Sequence, residues 1–154
     1  MKNKNTKNQP SAGRLIGMIH RCAHVYFKHE FKDLPLGHAQ IFTMHHLIHH
    51  DGISQKELTK YTKLDKGSIT SQLHYLENNG YITRKQSKED ARVLNLFITE
   101  KTKEKSDKIQ SIFKEWTGNL LKGFDEQEKE EALKSLIRIA ENAENKIKVI
   151  KNEK

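Results

Sequence analysis

Hydrophobic positions divide the first third of the chain into two helical stretches. From about residue 13 to residue 31 apolar side chains recur near helical spacing, and Pro35 then prevents a helix from continuing. A second helix follows and ends at Gly52, which can adopt the left-handed conformation common after a helix. Its predicted core side consists of Ile41, Met44, Leu47 and Ile48.

Two shorter helices are marked by capping residues. Ser54 and Glu57 have the spacing of a capping box, and the helix that they begin is expected to run to about Tyr61. Asp65 suits the N-cap of another helix, which ends where Gly80 can take the left-handed cap. Two short helices joined by a tight turn predict a helix-turn-helix.

A β-hairpin is predicted after the helix-turn-helix. The segments "YITRKQ" and "VLNLFIT" are rich in strand-forming residues and flank the polar "SKEDAR". Thr99 is then expected to cap a long helix over residues 100–121, and Asp125 to open a last helix that ends near residue 146. This order predicts a mainly α fold with a small β-hairpin wing, that is, a winged helix-turn-helix plus a further helical region.

The fourth predicted helix turns small polar side chains outward. Ile69, Leu73 and Leu76 fall within about a sixth of a turn, so the opposite side must face away from the core. That side lacks the Glu–Lys pairs typical of a solvated surface helix, which is the alternative interpretation. Small donors and acceptors can approach base edges in the major groove of DNA. The outward residues are Gly67, Thr70, Ser71, His74 and Asn78.

Basic residues surround the predicted hairpin tip. Lys88 and Arg92 lie on the tip, where they can bind phosphate and place an arginine in a narrow groove. Asp90 can hold the Arg92 guanidinium by paired hydrogen bonds, although a surface ion pair of little energetic worth is the alternative. We therefore predict an interface for double-stranded DNA. Its candidate residues are Ser54, Gln55, Lys66, Ser68, Thr70, Ser71, His74, Arg84, Lys88, Asp90 and Arg92.

Charge and composition narrow the function classes. The chain has 28 Lys and Arg against 20 Asp and Glu, a net charge of +8, which suits either polyanion binding or basic tails that aid solubility. No glycine-rich phosphate loop, nucleophile motif or HExxH zinc motif occurs, and 154 residues leave no room for a separate large catalytic domain. We expect neither enzyme activity nor a cofactor.

The expected location is the cytoplasm. No apolar run approaches the length of a membrane span, and the polar N-terminus lacks the apolar core of a signal peptide. Cys22 is the only cysteine, so no intrachain disulfide can form, which fits a reducing compartment.

The run "LDKGSITSQLHYLENNGYITRKQSKEDARVLNLFITEKT" resembles the DNA-binding core of the MarR family of bacterial and archaeal transcriptional regulators. Three positions depart from the family pattern: Ala91 stands where many relatives carry a second arginine, Thr102 where relatives usually show glycine, and Ile98 where they usually have leucine. The resemblance implies a transcriptional repressor that acts as a homodimer on a pseudo-palindromic operator. The matching residues are Leu76, Glu77, Gly80, Arg84, Asp90, Arg92, Thr99 and Glu100.

The resemblance also implies a domain organisation. Residues 1–12 are expected to be a flexible basic arm and residues 36–99 the winged helix-turn-helix, while 13–35 and 100–146 form a helical dimerisation region and 147–154 a basic tail. Apolar residues in the terminal helices support this organisation, because they are too numerous for exposed helices. Packing of these helices on their own domain is the alternative.

A sensor is expected, since family members commonly lose DNA affinity when a small, often aromatic, anion or a metal binds, or when a cysteine is oxidised. We predict an effector pocket for a small organic anion. By position in the family it would contain His20, His24, Met44 and His45.

Metal or thiol sensing on the same fold is the alternative. The pairs His45/His49 and His46/His50 have a four-residue spacing that lets two imidazoles on one helical face share a metal, but no carboxylate or thiol in that helix is spaced to complete the site. Cys22 could respond to oxidation, although we expect it to be a small buried core residue. A winged-helix module for protein or RNA contacts is a further alternative.

Overall fold

A computed structural model describes residues 10–153, so most of the predicted basic arm lies outside the described residues. The element order agrees with the prediction and confirms a mainly α fold with one antiparallel hairpin. None of the helices in the described part of the chain is both long and apolar enough to cross a membrane. The elements are α1 (Ala12–Glu30), α2 (His38–His49), α3 (Gln55–Thr62), α4 (Lys66–Asn78), β1 (Ile82–Gln86), β2 (Leu94–Ile98), α5 (Glu100–Leu120) and α6 (Glu126–Asn152).

The chain divides into two compact units, Met1–Trp116 and Thr117–Lys154. The second unit contains the end of α5 and the whole of α6, and no residue of α6 is buried. This helix continues to Asn152, beyond the predicted end near residue 146. The predicted basic tail is therefore helical from residue 147 to residue 152. The reason is that Ile147 and Ile150 extend the helical spacing and no glycine or proline interrupts it.

The core of the first unit confirms the predicted apolar stripes. Ile69, Leu73 and Leu76 of α4 are each 0% exposed. On α2, Ile41, Met44 and Leu47 are buried and Ile48 is half-buried, as the spacing indicates. Burial of one such side chain contributes about 1.5–3 kcal/mol. The core therefore fixes which side of α4 faces solvent. It is completed by Phe27, Phe31, Leu58, Tyr81, Ile82, Leu96, Ile109 and Ile112.

Capping residues define both ends of α4. The Asp65 carboxylate accepts a hydrogen bond from the backbone N–H of Ser68 at 2.8 Å. At the other end Gly80 has φ 71°, a conformation that glycine adopts without steric cost. Its N–H donates to the carbonyl of Glu77, and the N–H of Tyr81 donates to that of Leu76, which is the Schellman pattern. The predicted left-handed cap at Gly80 is confirmed.

The hairpin is bonded to the helices at its open end. Its strands pair from Ile82 opposite Ile98 to Gln86 opposite Leu94. The expected cap at Thr99 is used differently: its hydroxyl donates to the carbonyl oxygen of Gly80 at 2.7 Å. Thr102, at the position where relatives usually show glycine, is fully buried and donates to the carbonyl oxygen of Tyr81 at 2.6 Å. The start of α5 is thus bonded to the start of the hairpin.

A buried polar pair joins α4 to α2. Thr43 is 2% exposed and Gln72 is 8% exposed, and the Thr43 hydroxyl donates a hydrogen bond to Oε1 of Gln72. A buried acceptor that loses its only donor keeps its full desolvation cost. This pair therefore specifies how α4 lies on α2.

We expect Thr43→Val to lower the free energy of unfolding by about 1–3 kcal/mol, because Oε1 of Gln72 then has no donor. The measurement is equilibrium unfolding in urea. The matched control is the double variant Thr43→Val/Gln72→Leu, in which both partners are apolar and most of the loss should be recovered. A double variant less stable than Thr43→Val would contradict this role for the pair.

Candidate nucleic-acid interface

The outward face of α4 is exposed as predicted. Gly67, Thr70, Ser71, His74 and Asn78 are all exposed, opposite the buried stripe. His74 Nε2 lies 3.0 Å from the Asn78 side-chain nitrogen, so these two side chains are linked along the helix. The Thr70 hydroxyl donates to the backbone carbonyl of Lys66 at 2.7 Å. The face therefore offers hydroxyl, imidazole and amide groups, and these short side chains keep their polar atoms close to the helix.

Arg84, a predicted DNA contact, is largely bonded within the protein beside this face. Its side chain is 21% exposed, and its Nε lies 3.0 Å from a carboxylate oxygen of Glu77. Its Nη1 donates to Oε1 of Gln55 at 3.4 Å, and Nε2 of Gln55 donates to the Thr70 hydroxyl at 2.9 Å. Arg84 thereby joins the first strand of the hairpin to both helices of the helix-turn-helix.

Two serines predicted as DNA contacts instead donate hydrogen bonds to carboxylates at the N-termini of α3 and α4. Ser54 is 7% exposed, and its hydroxyl donates to the Glu57 carboxylate at 2.6 Å within the capping box. The Ser68 hydroxyl donates to the Asp65 carboxylate at 2.5 Å. These hydrogen bonds hold the pKa of both carboxyl groups, Glu57 and Asp65, below their usual values. The spacing of Ser54 and Glu57 predicted this capping box correctly, whereas the burial of Ser54 was not predicted.

The hairpin tip is a wing closed by backbone hydrogen bonds. The N–H of Ser87 donates to the carbonyl of Val93 at 2.8 Å. The predicted pairing of the Asp90 and Arg92 side chains is not formed in the described structure. Instead, Oδ1 of Asp90 accepts from the backbone N–H of Arg92 at 2.9 Å, since a carboxylate readily bonds the backbone two residues on. Lys88 and Arg92 are exposed on this wing.

The four residues predicted for an effector pocket have different surroundings in the described chain. Met44 is 0% exposed within the core, and the His45 ring stacks on Phe113 with ring centroids 3.8 Å apart. His20 is exposed on α1. Only His24 reaches the cavity described next. His20 and His24 lie four residues apart on one face of α1, and both are near His38, whereas Met44 is enclosed by the core. A pocket that joins all four residues stays a prediction.

A cavity of about 480 Å³ lies where α1 ends and α2 begins. Its wall includes the aromatic residues Phe27 and Phe31 and the lysines Lys28 and Lys32. Nε2 of His38, also in the wall, is buried without a hydrogen-bond partner. Burial, followed by the nearby His24 and His20, lowers the pKa of His38. These residues were missed, although the spacing of Lys28 and Lys32 beside Phe27 and Phe31 was a visible signal.

Histidines of α2 occupy two different environments. Burial, followed by His49 and His46, lowers the pKa of His45 to about 4. Nε2 of His45 lies 3.3 Å from Nε2 of His49. The second pair contacts α3: the His46 ring lies 3.9 Å from the Tyr61 ring, centroid to centroid, and His50 lies 5.1 Å from it. The two predicted pairs are therefore not equivalent.

Cys22 is exposed, so the expectation of a buried core cysteine is wrong. It lies in a surface depression together with Arg21, Val25, Tyr26 and His29. Its position on α1 faces away from the core that Phe27 enters.

Comparison with known proteins agrees with this geometry. The MarR family model matches residues 36–94, which span α2 to the start of β2. The HTH-type transcriptional regulator YybA of Bacillus subtilis (strain 168), itself uncharacterised, is 30% identical over 138 residues, which are 90% of this chain and 92% of YybA. The chain belongs to the MarR family. It is thus a transcriptional regulator with a winged helix-turn-helix.

Solved MarR-type structures share the fold over most of the chain. A putative MarR family transcriptional regulator from Listeria monocytogenes, complexed with 26mer DNA, is 30% identical with a TM-score of 0.79, and the match covers 87% of this chain and 89% of that one. MepR from S. aureus, in a DNA complex, is 21% identical with a TM-score of 0.80 over 86% of this chain and 96% of that one, a likeness of fold.

Proposed function

We propose that this MarR-family regulator binds double-stranded DNA as a homodimer on a pseudo-palindromic operator and represses transcription there. The observation that carries this proposal is the outward face of α4, which offers only small polar groups and is seated on a fully buried stripe. The Listeria relative in complex with 26mer DNA supports it. A bound protein of this kind excludes other proteins from the DNA segment that it covers.

The proposed contacts divide between bases and phosphates. Ser71, Thr70 and His74 lie on the part of α4 that fits a major groove, which is about 12 Å wide. Lys66 and Lys88 neutralise phosphates, and Arg92 enters the adjacent minor groove from the wing. Gln55 and Arg84 act behind this surface by holding α3, α4 and β1 together.

The homodimer is supported by apolar side chains that the single chain leaves exposed. On α1 these include Leu15, Ile16, Met18 and Ile19, which are 39–48% exposed. On α6 the exposed apolar residues are Leu133, Leu136, Ile137, Ile139, Ile147, Val149 and Ile150. Each of these helices thus exposes more apolar side chains than a solvated helix usually does, and a second copy of the chain is the partner that we propose to cover them.

The cavity between α1 and α2 is the proposed effector site. Its volume lies within the usual range of small-molecule sites, roughly 300–1,000 Å³. Lys28 and Lys32 attract negative charge, while Leu34 and Leu36 belong to the apolar part of the wall. A small organic anion therefore fits the chemistry of this wall. Its binding would lower the affinity for DNA.

Light scattering should give wild-type protein a mass of twice the 18.0 kDa of one chain. Ile137 is 58% exposed on α6, and Ile137→Glu should raise the dimer dissociation constant at least about tenfold, because a charge then enters an apolar interface. Asn142→Glu adds the same charge at an exposed polar position of α6 and should leave the dimer intact. A monomeric wild type, or an Ile137→Glu dimer as stable as the wild type, would refute the homodimer.

Selection of bound duplexes from a random DNA pool tests the proposed function directly. Wild-type protein should enrich an inverted repeat with half-sites about one helical turn apart. Ser71→Glu should enrich no sequence, because its carboxylate would face phosphates and base edges, while its circular dichroism spectrum stays that of the wild type. Ser71→Ala is the control for loss of the hydroxyl alone. If Ser71→Glu selects the wild-type repeat, α4 is not the reading helix; if folded wild-type protein selects none, a protein or RNA partner is favoured.

Arg92→Ala should weaken binding to the selected duplex by about 1–3 kcal/mol, because the wing loses its groove contact. The slope of log affinity against log salt should fall by about one as well. Lys122→Ala removes one positive charge outside the winged helix-turn-helix and serves as the control. Equal affinities of Arg92→Ala and wild type, measured by fluorescence anisotropy at several salt concentrations, would exclude the wing from the interface.

A further inference from the structure

Two histidines on α2 direct ring nitrogens at each other. His45 and His49 are four residues apart, so they lie one above the other on the same face of the helix. Their Nε2 atoms are 3.3 Å apart, and the rings cross at 78° with centroids 4.7 Å apart. Either a proton or a metal ion can be shared between two nitrogens in this arrangement.

The separation is that of two nitrogens on one metal ion. A tetrahedral zinc ion binds histidine nitrogen at about 2.0–2.1 Å, which places two such nitrogens about 3.3–3.4 Å apart. When both rings carry their proton on Nδ1, both Nε2 lone pairs point into the space between them. The ion then needs little movement of either side chain.

The surroundings hold one ligand still and leave the other accessible. The half-buried His45 ring stacks on Phe113 at an angle of 16°, which restricts its rotation. His49 is exposed, so water can reach the shared position. A ligand that is already held in place loses less conformational freedom on binding.

The neighbouring pair on the same helix lacks this geometry. His46 and His50 have the same spacing, and their ring centroids are 4.9 Å apart at 38°. Nε2 of His46 is buried without a hydrogen-bond partner, and its ring packs on Tyr61. The spacing in sequence is therefore not sufficient, and the orientation of the rings distinguishes the two pairs.

We propose that His45 and His49 form a bidentate binding site for a divalent first-row transition-metal ion such as zinc. Imidazole nitrogen suits ions of this class. Among residues 10–153 no group of three or more His, Cys, Asp or Glu side chains is arranged to hold a metal. Water or a ligand from a second copy of the chain completes the coordination. Neither histidine is among the proposed DNA contacts.

Zinc binding is tested by calorimetry on the full chain without a polyhistidine tag. His49→Ala should weaken zinc binding at the tightest site at least tenfold, because the ion then has one imidazole ligand instead of two. His50→Ala, the matched control from the neighbouring pair, should change that affinity less than twofold. His45→Phe keeps an aromatic ring against Phe113 and should weaken binding as much as His49→Ala does. Equal losses in His49→Ala and His50→Ala, or no loss in His49→Ala, would overturn the proposal.

The position of the ion is tested by ¹H–¹⁵N spectra of the histidine rings. Addition of one equivalent of zinc should shift the Nε2 resonances of His45 and His49 and leave those of His46 and His50 in place. Shifts confined to other histidines would overturn the assignment even if the chain binds zinc. Circular dichroism of each variant shows that α2 is still folded.

Discussion

Burial of one apolar stripe on α4 is the constraint on which the rest of the candidate interface depends. Ile69, Leu73 and Leu76 are the only large aliphatic side chains of this helix, and the core covers all three completely. Their burial leaves a single rotation of the helix about its axis, since any other would expose apolar area to water. The polar side of α4 consequently faces solvent.

The second level of organisation is polar and connects elements that are distant in sequence. Thr43 and Gln72 join α2 to α4, Arg84 joins the hairpin to α3, and Thr102 joins α5 to the residue that follows the α4 cap. Buried polar groups of this kind specify an arrangement because a misplaced element would leave them unpaired. These hydrogen bonds fix the relative orientation of the packed elements, which apolar burial alone would leave less defined.

Local rules predicted the fold well, because each depends on residues within about four positions. The capping box at Ser54, the left-handed cap at Gly80 and the stripe on α4 are all of this type. Partners far apart in sequence were missed. Ser54 and Arg84 were predicted as DNA contacts. Nothing near Ser54 in sequence reveals its β-bridge to Asn95, and nothing near Arg84 reveals its hydrogen bond to Gln55, which lies 29 residues away. Most wall residues of the cavity between α1 and α2 were missed for the same reason, because the wall joins two helices whose relative rotation no local pattern gives.

The Gln55 amide has a consequence for the way in which sequence can be recognised. It bonds with its nitrogen to Thr70 on the exposed helix and with its oxygen to Arg84 at the base of the wing. The distance between helix and wing is thus set within the protein, before any duplex is met. A duplex whose groove spacing differs from the distance between α4 and the wing has to bend or twist to contact both elements. Base steps that neither element touches can then influence affinity through their stiffness.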